Sequence, residues 1–518
     1  MSTTRKTRLW CGGCLRDVGT VENDPFPFRC RHAVPGDGID HVLRRTLHVA
    51  TWRAVTPPDD EETFVQSWLG ANRGWRSAME GQSPFLRYRQ RFYSYHLARA
   101  NGLPEAEFAA IVAELDDAIQ AQEGLGLRAT PFARSVALAR GLGGAPGAIW
   151  VKDETRNVSG SHKARHLFGI MVYLRVVESL LQRGLFPEDA PGAAHVVAAV
   201  AEPLAIASCG NAALAAAVVA RAVDRALEVY VPPWADANVM SRLAHYGANV
   251  HVCERREGEQ GDPCYLRFRE AVALGAIPFC CQGPANGLAI EGGQTLAYEM
   301  LDALEGETLD RVFVQVGGGA LASACVRAFE EALAAGAIDR LPRLHAVQTE
   351  GAWPLARAWD RLACRVLQRL GDPAGAEVRG LSPHERVVAA RTIGARADRA
   401  LLFAALREAA AHRGQFMWPW EREPRSIAHG ILDDETYDWL AVVEGMLLSG
   451  GWPIVAGEAD LERANDLARH TTGIPVCHSG SAGLAGVLAL QRQLGADTPG
   501  QLAPNEQVAV LFTGVDRG

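Results

Sequence analysis

Short apolar runs alternate with Ala- and Leu-rich stretches of helical periodicity from Thr130 onward. These runs leave no polar side for solvent, which is typical of parallel strands buried on both faces of a sheet. Helices between successive strands make βαβ units, so the sequence predicts an α/β fold with mostly parallel sheets. The predicted strands are residues 148–151, 195–200, 227–231, 248–253, 311–316, 344–348 and 507–512.

Helical periodicity dominates other parts of the chain. Residues 87–102 are amphipathic and residues 105–122 repeat apolar positions at helical spacing, so both predict helices ahead of the first strand. Residues 352–414 are rich in Arg and Ala and predict further helices, added to the α/β core. The first fifty residues are rich in Cys, His and Arg and predict a distinct N-terminal region.

Composition narrows the class of protein. A chain of 518 residues is too long for one compact core, which predicts two or three domains. The net charge of −8 comes without a long basic run, which argues against a nucleic-acid partner and favours small-molecule chemistry. The most apolar region, residues 195–231, is interrupted by polar residues and predicts no membrane span. The basic N-terminus lacks a following apolar stretch, so we expect no secretory signal and a cytoplasmic location.

The sharpest chemical signal is the segment WVKDETRNVSGSHKAR at residues 150–165. A predicted strand ends, a polar turn containing Gly160 follows, and Lys163 stands near the start of a helix. The positive end of the helix and partial desolvation both favour a nucleophilic amine at Lys163. By itself, the segment is also compatible with an exposed lysine at a capped helix start.

Two turns of small residues offer backbone N–H groups to an anion. The turn at residues 208–211 precedes an Ala-rich helix, and such a turn can hold a carboxylate or simply cap the helix. Residues VGGGAL at 316–321 follow a predicted strand, and the three glycines let the backbone approach an anion closely. This turn lacks the GxGxxG spacing and the Walker lysine of nucleotide sites. An NAD- or nucleotide-dependent α/β enzyme that uses this turn is nevertheless an alternative.

These motifs, in this order, resemble those of the fold-type-II pyridoxal-phosphate enzymes, the superfamily of tryptophan synthase β, threonine synthase and the serine and threonine dehydratases. Ser159-Gly-Ser-His-Lys163 is similar to the lysine motif of the family, and Ser208-Cys-Gly-Asn211 is similar to its Ser-x-Gly-Asn loop. Thr130-Pro131, residues 291–295 and residues 426–430 are weaker matches in the same order. The Lys-Ala-Arg sequence at Lys163 looks more like the dehydratases than threonine synthase.

The resemblance implies two open, twisted α/β domains with pyridoxal 5′-phosphate between them. The large domain would comprise residues 51–168 and 276–518, with an insertion near 352–415, and a small mobile domain would comprise residues 169–275. Lys163 would hold the cofactor as a Schiff base and act as the catalytic residue. The implied cofactor-binding residues are His162, Lys163, Asn211, Gly317, Gly318, Gly319, Ala320, Leu321 and Thr513. The implied substrate-binding residues are Ser159, Ser208, Cys209, Gly210 and Asn211.

Thr513, at the end of the last predicted strand, resembles the hydroxyl element of the family that faces the pyridine nitrogen. Thr513 carries no charge, so it cannot stabilise a protonated pyridine as a carboxylate would. The resemblance then implies a weaker electron sink, suited to eliminations and replacements more than to transamination. Ser479 and Ser481, at a helix start built of small residues, are the competing candidates.

Cys11-Gly-Gly-Cys14 and Cys30-Arg-His32 form a separate candidate site. Two cysteines separated by two residues are half of a zinc knuckle, and thiolates with an imidazole suit tetrahedral zinc. Cys11, Cys14, Cys30 and His32 are therefore the predicted ligands of a structural zinc ion. Free reduced thiols are the alternative, because the eleven cysteines come without a secretory signal.

The predicted activity is elimination, or replacement, at the β or γ carbon of an amino acid. A serine- or threonine-like substrate is favoured, and Lys163 would remove the α-proton before a leaving group departs. Threonine-synthase-like γ-replacement on a phosphorylated amino acid, and β-replacement, are alternatives. A non-catalytic protein that keeps the scaffold is disfavoured by the intact Lys163, Asn211 and glycine turn. The family resemblance also implies a homodimer.

Overall fold

The computed structural model describes residues 7–20, 28–34, 36–46, 83–143, 147–185, 202–259, 261–495 and 498–517. The strands among them are β1 (Arg8–Cys11), β2 (Asp17–Thr20), β3 (Leu43–Thr46), β4 (Phe132–Arg134), β5 (Ala148–Asp153), β6 (Leu204–Ala207), β7 (Leu227–Val231), β8 (Asn249–Val252), β9 (Ile277–Pro278), β10 (Arg311–Gln315), β11 (Arg343–Thr349), β12 (Ile454–Ala456) and β13 (Gln507–Phe512). The α-helices in the same ranges are α1 (Pro84–Arg87), α2 (Tyr93–Ala100), α3 (Glu105–Glu123), α4 (Val136–Gly141), α5 (Lys163–Gln182), α6 (Asn211–Ala222), α7 (Ala237–His245), α8 (Pro263–Ala273), α9 (Ala289–Ala303), α10 (Ala320–Ala334), α11 (Pro354–Arg369), α12 (Pro383–Arg396), α13 (Arg399–Ala411), α14 (Trp439–Ser449), α15 (Glu458–Thr472) and α16 (His478–Leu494).

The larger sheet has six strands in the order β12-β11-β10-β13-β5-β4. Its five neighbouring strands from β12 to β5 are parallel, and β4 is antiparallel at the edge. Every residue of β5 and β10 is buried, as expected for strands covered by helices on both faces. The predicted α/β fold with mostly parallel sheets is confirmed.

The smaller sheet has four parallel strands in the order β8-β7-β6-β9. Strand β6 leads directly into the turn at residues 208–211, and the sequence had not predicted it because LAIA is short and begins just after Pro203. The strand predicted at residues 195–200 lies outside the described residues. The two sheets agree with the α/β units expected from the sequence, while the proposed domain boundaries stay a prediction.

The N-terminal region forms a small antiparallel sheet, β2-β1-β3, that packs on the α/β core. Strand β3 provides Arg44, which pairs with Glu444 on α14, and Arg45, which pairs with Glu291 on α9. The backbone N–H of Gly287 also donates to the carbonyl of Phe28, at 2.9 Å. These contacts attach the Cys-rich region to the large sheet's helical layer.

Residues 354–411 form α11, α12 and α13, in agreement with the helices predicted there. The start of α12 has a capping box between Ser382 and Glu385, and Asp398 caps the start of α13. Asp360 on α11 forms a buried ion pair with Arg386 on α12, at 2.8 Å, which holds the added helices together. Among the described residues, no helix combines the length and the apolar character needed to cross a membrane.

Candidate active site

Four chain segments meet at the carboxyl ends of the parallel strands. The segment containing Lys163 follows β5, the glycine turn follows β10, Thr513 follows β13, and the turn at residues 208–211 follows β6. Carboxyl ends of parallel strands lie at the same edge of a sheet, where open α/β folds bind their ligands. Hydrogen bonds from His162 and Gln315 to Thr513, and from Arg517 to both Asn211 and Ser159, join the four segments.

The turn ahead of Lys163 is held by its own polar residues. The Asn157 side chain accepts a hydrogen bond from the Val158 N–H, at 2.8 Å, and donates to Glu154, at 2.9 Å. Ser159 has a positive φ of 54°, and helix α5 begins four residues later with Lys163 partly exposed. Among the described residues, the buried Oγ atoms of Ser159 and Ser161 have no hydrogen-bond partner. Both hydroxyls are thus available to a ligand.

A buried ionic network lies beneath this turn. Arg165 is bound to Glu154 at 2.8 Å and to Glu299 at 2.7 Å, and Lys152 is bound to Glu299 at 2.5 Å. The Thr130 hydroxyl joins the network by donating to Glu154. Burial raises the pKa of Glu154, but the charges of Arg165 and Lys152 outweigh it and lower the pKa to about 2. The network fixes the start of α5 against β5 and α9.

Lysine is scarce in this chain. The sequence contains only three lysines, Lys6, Lys152 and Lys163. Lys152 is fully buried and paired with Glu299, while Lys6 lies outside the described residues. A Schiff base needs an amine that a ligand can reach, and Lys163 is the lysine that the described part of the chain offers. The lysine count is a signal in the sequence that strengthens the prediction for Lys163.

Two histidines beside Lys163 are held uncharged. Burial lowers the pKa of His162 well below its usual value, and the charge of Lys163 lowers it further. The same two causes lower the pKa of His166 to about 3. The His162 ring and its backbone N–H both donate to the Thr513 carbonyl, at 3.2 and 3.3 Å. A neutral His162 therefore ties the lysine turn to the end of β13.

Thr513 presents a buried hydroxyl at the end of β13. The Gln315 Nε2 atom lies 2.5 Å from Thr513 Oγ1, and 2.7 and 3.1 Å from the carbonyl oxygens of Gly480 and Leu511. Two carbonyl acceptors require a donor, so this atom is the amide nitrogen and Gln315 donates to Thr513. The hydroxyl hydrogen of Thr513 is then free to be donated to another acceptor.

The competing serines have other partners. Ser479 Oγ accepts a hydrogen bond from the Gly430 N–H, at 2.8 Å. Ser481 Oγ donates to the Cys477 carbonyl, at 3.2 Å, and is fully buried in α16. Ser481 thus uses its hydroxyl hydrogen within the protein, whereas Thr513, like Ser479, only accepts and keeps its hydrogen for a further acceptor.

The turn at residues 208–211 is linked to the other segments through Asn211. The Asn211 Oδ1 atom accepts a hydrogen bond from Arg517, at 2.6 Å, and Arg517 also donates to the Ser159 carbonyl, at 2.6 Å. A Cβ atom at Gly514 would lie 2.8 Å from Asn211 Nδ2, so a larger residue there would displace the Asn211 side chain. Ser208, Cys209 and Gly210 line the turn, and the Gly210 N–H donates to Ser208 Oγ at 3.4 Å. Arg517 was missed by the sequence analysis, because no motif covers the last residues.

The glycine turn packs closely against residues 431–438. A Cβ atom at Gly317 would lie 2.1 Å from Asp433 Oδ2, and one at Gly319, where φ is +95°, would lie 2.9 Å from the Thr436 methyl group. The Thr436 hydroxyl donates to the Gly317 carbonyl, at 2.9 Å. Helix α10 begins at Ala320 with Leu321 following, and both are buried. Glycine is therefore required by contacts within the protein, in addition to any ligand.

Asp433 places a carboxylate over this glycine turn. Asp433 Oδ2 lies 2.1 Å from the position that a Cβ atom at Gly317 would take, and hydrogen bonding by the Gly318 N–H lowers the pKa of this carboxyl. Burial raises the pKa of Asp433 to about 6, the charge of Lys163 opposes this, and the charge of Asp262 adds to it. Burial raises the pKa of Asp438 to about 7 as well. No motif in the sequence indicates these acids, although Asp433 comes only three residues after the match at residues 426–430.

Three cysteines and one histidine converge in the N-terminal region. Ligand atoms of Cys11, Cys14, Cys30 and His41 all lie within 4.8 Å of one another. The Sγ atoms of Cys14 and Cys30 are 3.7 Å apart, and Cys11 Sγ is 3.3 Å from His41 Nδ1. The ring of the predicted ligand His32 points elsewhere and bonds to the Asp17 carbonyl, at 3.1 Å. The structure thus brings His41, and not His32, to the three sulfurs.

A comparison with known proteins shows to which family of enzymes this chain belongs. A family model described as pyridoxal-phosphate dependent enzyme matches residues 124–421, more than half of the chain. The chain therefore belongs to the pyridoxal-phosphate dependent enzyme family, whose cofactor is pyridoxal phosphate. The lysine turn, the glycine turn at the start of α10, the Thr513 hydroxyl and the two unpartnered serine hydroxyls fit such a cofactor.

Individual proteins resemble this chain in part. Threonine synthase of Methanocaldococcus jannaschii is 32% identical over 102 residues, and this match spans 18% of our chain and a quarter (25%) of that protein. Diaminopropionate ammonia lyase from Escherichia coli has 16% identity and a TM-score of 0.50, covering 79% of this chain and 89% of that one. Maize serine racemase has 18% identity and a TM-score of 0.48, covering 79% and 94%. At these identities, the likeness to the two solved structures concerns the fold alone.

Proposed function

We propose that this protein uses pyridoxal phosphate, held by Lys163, to eliminate a leaving group from the β carbon of a serine- or threonine-like amino acid. The observation that carries the proposal is the partly exposed Lys163 at the meeting point of the four segments, beside a neutral His162 and an uncharged Thr513. The cofactor, when bound, supplies the electron sink that makes the α-hydrogen of an amino acid acidic.

The proposed roles follow the positions of the side chains. Lys163 would hold the cofactor, and its amine would act as the general base that takes the α-proton of the substrate. Residues 317–321 would hold the phosphate with backbone N–H groups at the start of α10, and Asn211 would hydrogen-bond to the ring oxygen. The substrate carboxylate is bound by Ser159 and by Ser208, Cys209, Gly210 and Asn211.

Thr513 determines the protonation of the ring nitrogen in this proposal. Because Gln315 donates to Thr513 Oγ1, the hydroxyl hydrogen is left for a further acceptor, which an unprotonated pyridine nitrogen would provide. An unprotonated ring withdraws electrons less strongly than a protonated one. A weak electron sink suits elimination better than transamination, because the leaving group of an elimination carries away the negative charge formed at the α carbon.

A second candidate function is γ-replacement on a phosphorylated amino acid. The segment shared with threonine synthase favours it, whereas the Lys-Ala-Arg sequence at Lys163 favours elimination. β-Replacement by an added nucleophile is a further variant of the elimination chemistry. The homodimer and the cytoplasmic location stay predictions.

Product analysis separates these candidates. We expect the purified holoenzyme to convert L-serine or L-threonine to a 2-oxo acid and ammonia, measured by hydrazone formation and by ammonia release. Release of inorganic phosphate from O-phospho-L-homoserine, with formation of threonine, would instead establish the second candidate. A protein that has no visible absorption after addition of pyridoxal phosphate and forms none of these products would contradict the proposed function.

We also propose that Cys11, Cys14, Cys30 and His41 bind a structural zinc ion. A tetrahedral site with Zn–S bonds of about 2.3 Å requires sulfur atoms roughly 3.8 Å apart, and two of the sulfurs are 3.7 Å apart. His41 presents Nδ1 to Cys11, and its Nε2 atom is 2.9 Å from Asp37, the carboxylate partner that zinc-bound histidines commonly have. Because Arg44 and Arg45 attach this region to α14 and α9, the metal would stabilise the N-terminal sheet and its contacts with these two helices.

The two histidines provide a matched test of the zinc proposal. We expect about one zinc ion per wild-type chain by mass spectrometry of the metal content, loss of the metal in His41→Ala, and retention of the metal in His32→Ala. Asp37→Asn is expected to weaken zinc binding roughly 10- to 100-fold in a chelator competition. Zinc loss in His32→Ala with retention in His41→Ala would contradict this ligand set.

A further inference from the structure

We propose that Asp433 is an internal ligand of the glycine turn that the cofactor phosphate must displace, so that Asp433 sets the affinity of the protein for a phosphorylated cofactor. This inference rests on the proposed function, in which residues 317–321 bind the phosphate. It adds a residue outside the family motifs and gives it a defined role, which is competition for the phosphate position.

The position of the carboxylate carries the inference. Asp433 Oδ2 lies 2.1 Å from the point where a Cβ atom of Gly317 would stand, and Asp433 Oδ1 lies 3.7 Å from the equivalent point at Gly318. The Gly318 N–H faces this carboxyl closely enough that hydrogen bonding by it lowers the pKa of Asp433. Successive N–H groups ahead of a helix are the donors that a phosphate would use. A carboxylate and a phosphate cannot occupy these donors together.

The segment that carries Asp433 is held firmly at the glycine turn. The Asp438 N–H donates to the Gly318 carbonyl, at 2.9 Å, and the Thr436 hydroxyl donates to the Gly317 carbonyl, at 2.9 Å. Asp438 is also fixed from the other side, since its carboxylate accepts a hydrogen bond from the Gly283 N–H, at 3.2 Å. These hydrogen bonds fix the backbone of the glycine turn and of residues 436–438. A phosphate that binds at the turn would therefore displace the Asp433 side chain and leave the backbone in place.

The charges around Asp433 make this competition dependent on pH. Lys163 on α5 is the cation that interacts with Asp433, and the acids facing it are Asp262 ahead of α8 and its neighbour Asp434. Cys209, Cys281 and Tyr437 also interact with the Asp433 charge, and burial keeps each of them protonated by raising its pKa. A dianionic phosphate that enters this surrounding meets like charge whenever Asp433 is ionised.

The sign of the pH effect follows from the raised pKa. Burial raises the pKa of Asp433 to about 6, so its carboxylate is neutral below this pH and charged above it. A neutral carboxyl group competes weakly for backbone N–H donors and does not repel phosphate. The penalty from Asp433 is therefore small at pH 5.5 and fully present at pH 8.5.

The experiment compares two forms of the cofactor on the full-length protein. The bound cofactor is removed, and the affinities for pyridoxal phosphate and for pyridoxal, which lacks the phosphate, are measured by titration at pH 5.5 and 8.5. Asp433→Asn is expected to bind pyridoxal phosphate about tenfold more tightly than the wild type at pH 8.5, with a difference of about twofold or less at pH 5.5. The affinity for pyridoxal is expected to change by less than about twofold.

Asp434→Asn is the matched control, because it removes the same charge one residue along the chain. We expect it to change the affinity for pyridoxal phosphate by less than about threefold. Circular dichroism shows whether each variant is folded, and Asp433→Ser replaces Asp433→Asn with the same expectations if the latter does not fold.

Two results would overturn the inference. One is an Asp433→Asn protein that binds pyridoxal phosphate no more tightly than the wild type at pH 8.5. The other is an equal gain in affinity for pyridoxal, which would show that phosphate is not involved. A wild type that binds neither form would refute the proposed function itself, whereas normal binding with no effect of Asp433 refutes only the competition.

Discussion

Replacement of Lys163 by alanine is expected to abolish covalent attachment of pyridoxal phosphate while leaving a folded protein. After borohydride reduction, the wild type should carry one cofactor on the peptide that contains Lys163, as determined by peptide mass spectrometry. The chain contains only two other lysines, and Lys152 is buried against Glu299, so no second described amine can take over the attachment. Lys163→Ala should therefore show no label at all.

The same substitution is expected to reduce turnover of the best amino-acid substrate by about 10²- to 10⁴-fold, the contribution typical of a general base. Lys6→Ala is the matched control, since it removes a lysine outside the site's motifs and should retain both the label and the activity. Label recovered on Lys152, or full labelling of Lys163→Ala, would contradict the role of Lys163 and with it the proposed function.

Replacement of Arg165 by leucine is expected to lower the free energy of unfolding by about 3–5 kcal/mol. Arg165 is fully buried and bridges Glu154 and Glu299, so its removal leaves two carboxylates with only Lys152 as a buried cationic partner. Urea denaturation followed by circular dichroism measures the change. Activity should fall together with stability, because the same network positions the start of α5 and hence Lys163.

Arg175 gives the matched control for this experiment. It lies on the same helix, α5, and pairs with Glu178, but 43% of its side chain is exposed. Exposed ion pairs contribute about 0–1 kcal/mol, so Arg175→Leu should change the free energy of unfolding by less than about 1 kcal/mol. Equal losses of unfolding free energy in the two variants would show that the buried ion pairs of Arg165 contribute no more to stability than an exposed pair.

The contribution of this network to stability depends on pH through Glu154. The pKa of Glu154 is lowered to about 2 in the folded protein, below the usual value of a glutamate. A lowered folded-state pKa means that its contribution to stability is present above the unfolded pKa and is lost as the pH falls toward 2. The ion pairs of Arg165 therefore hold α5 in place throughout the neutral range, in which the catalytic tests are performed.

Much of the fold could be predicted, because each signal was local in the sequence. The three central residues of β10, Val312, Phe313 and Val314, are all apolar, so the sequence alone indicates a strand buried on both faces. The lysine motif and the three glycines of residues 317–319 were recognisable for the same reason, since a turn of small residues between a strand and a helix is a short-range pattern. Strand β6 was not predicted, because an apolar run of only four residues does not distinguish a strand from a loop.

The predicted site was incomplete where its members are distant in the sequence. Asp433 and Gly317 are more than a hundred residues apart, and only the packing of residues 431–438 on the glycine turn brings them together. His41 replaced His32 beside the three cysteines for a related reason. Spacing in the sequence suggested the nearer histidine, whereas the strand pairing of β1 and β3 carries His41 toward Cys11.

The sequence by itself determined the class of fold, the family resemblance, the candidate lysine and the anion-binding turn, because these depend on residues that are neighbours along the chain. The tertiary structure decided which groups surround them: the Arg165 network beneath Lys163, the donation from Gln315 to Thr513, the bridge made by Arg517, and the carboxylate of Asp433 over the glycine turn. Charge and hydrogen-bonding capacity act over a few ångströms of space, and parallel strands bring distant residues within that range.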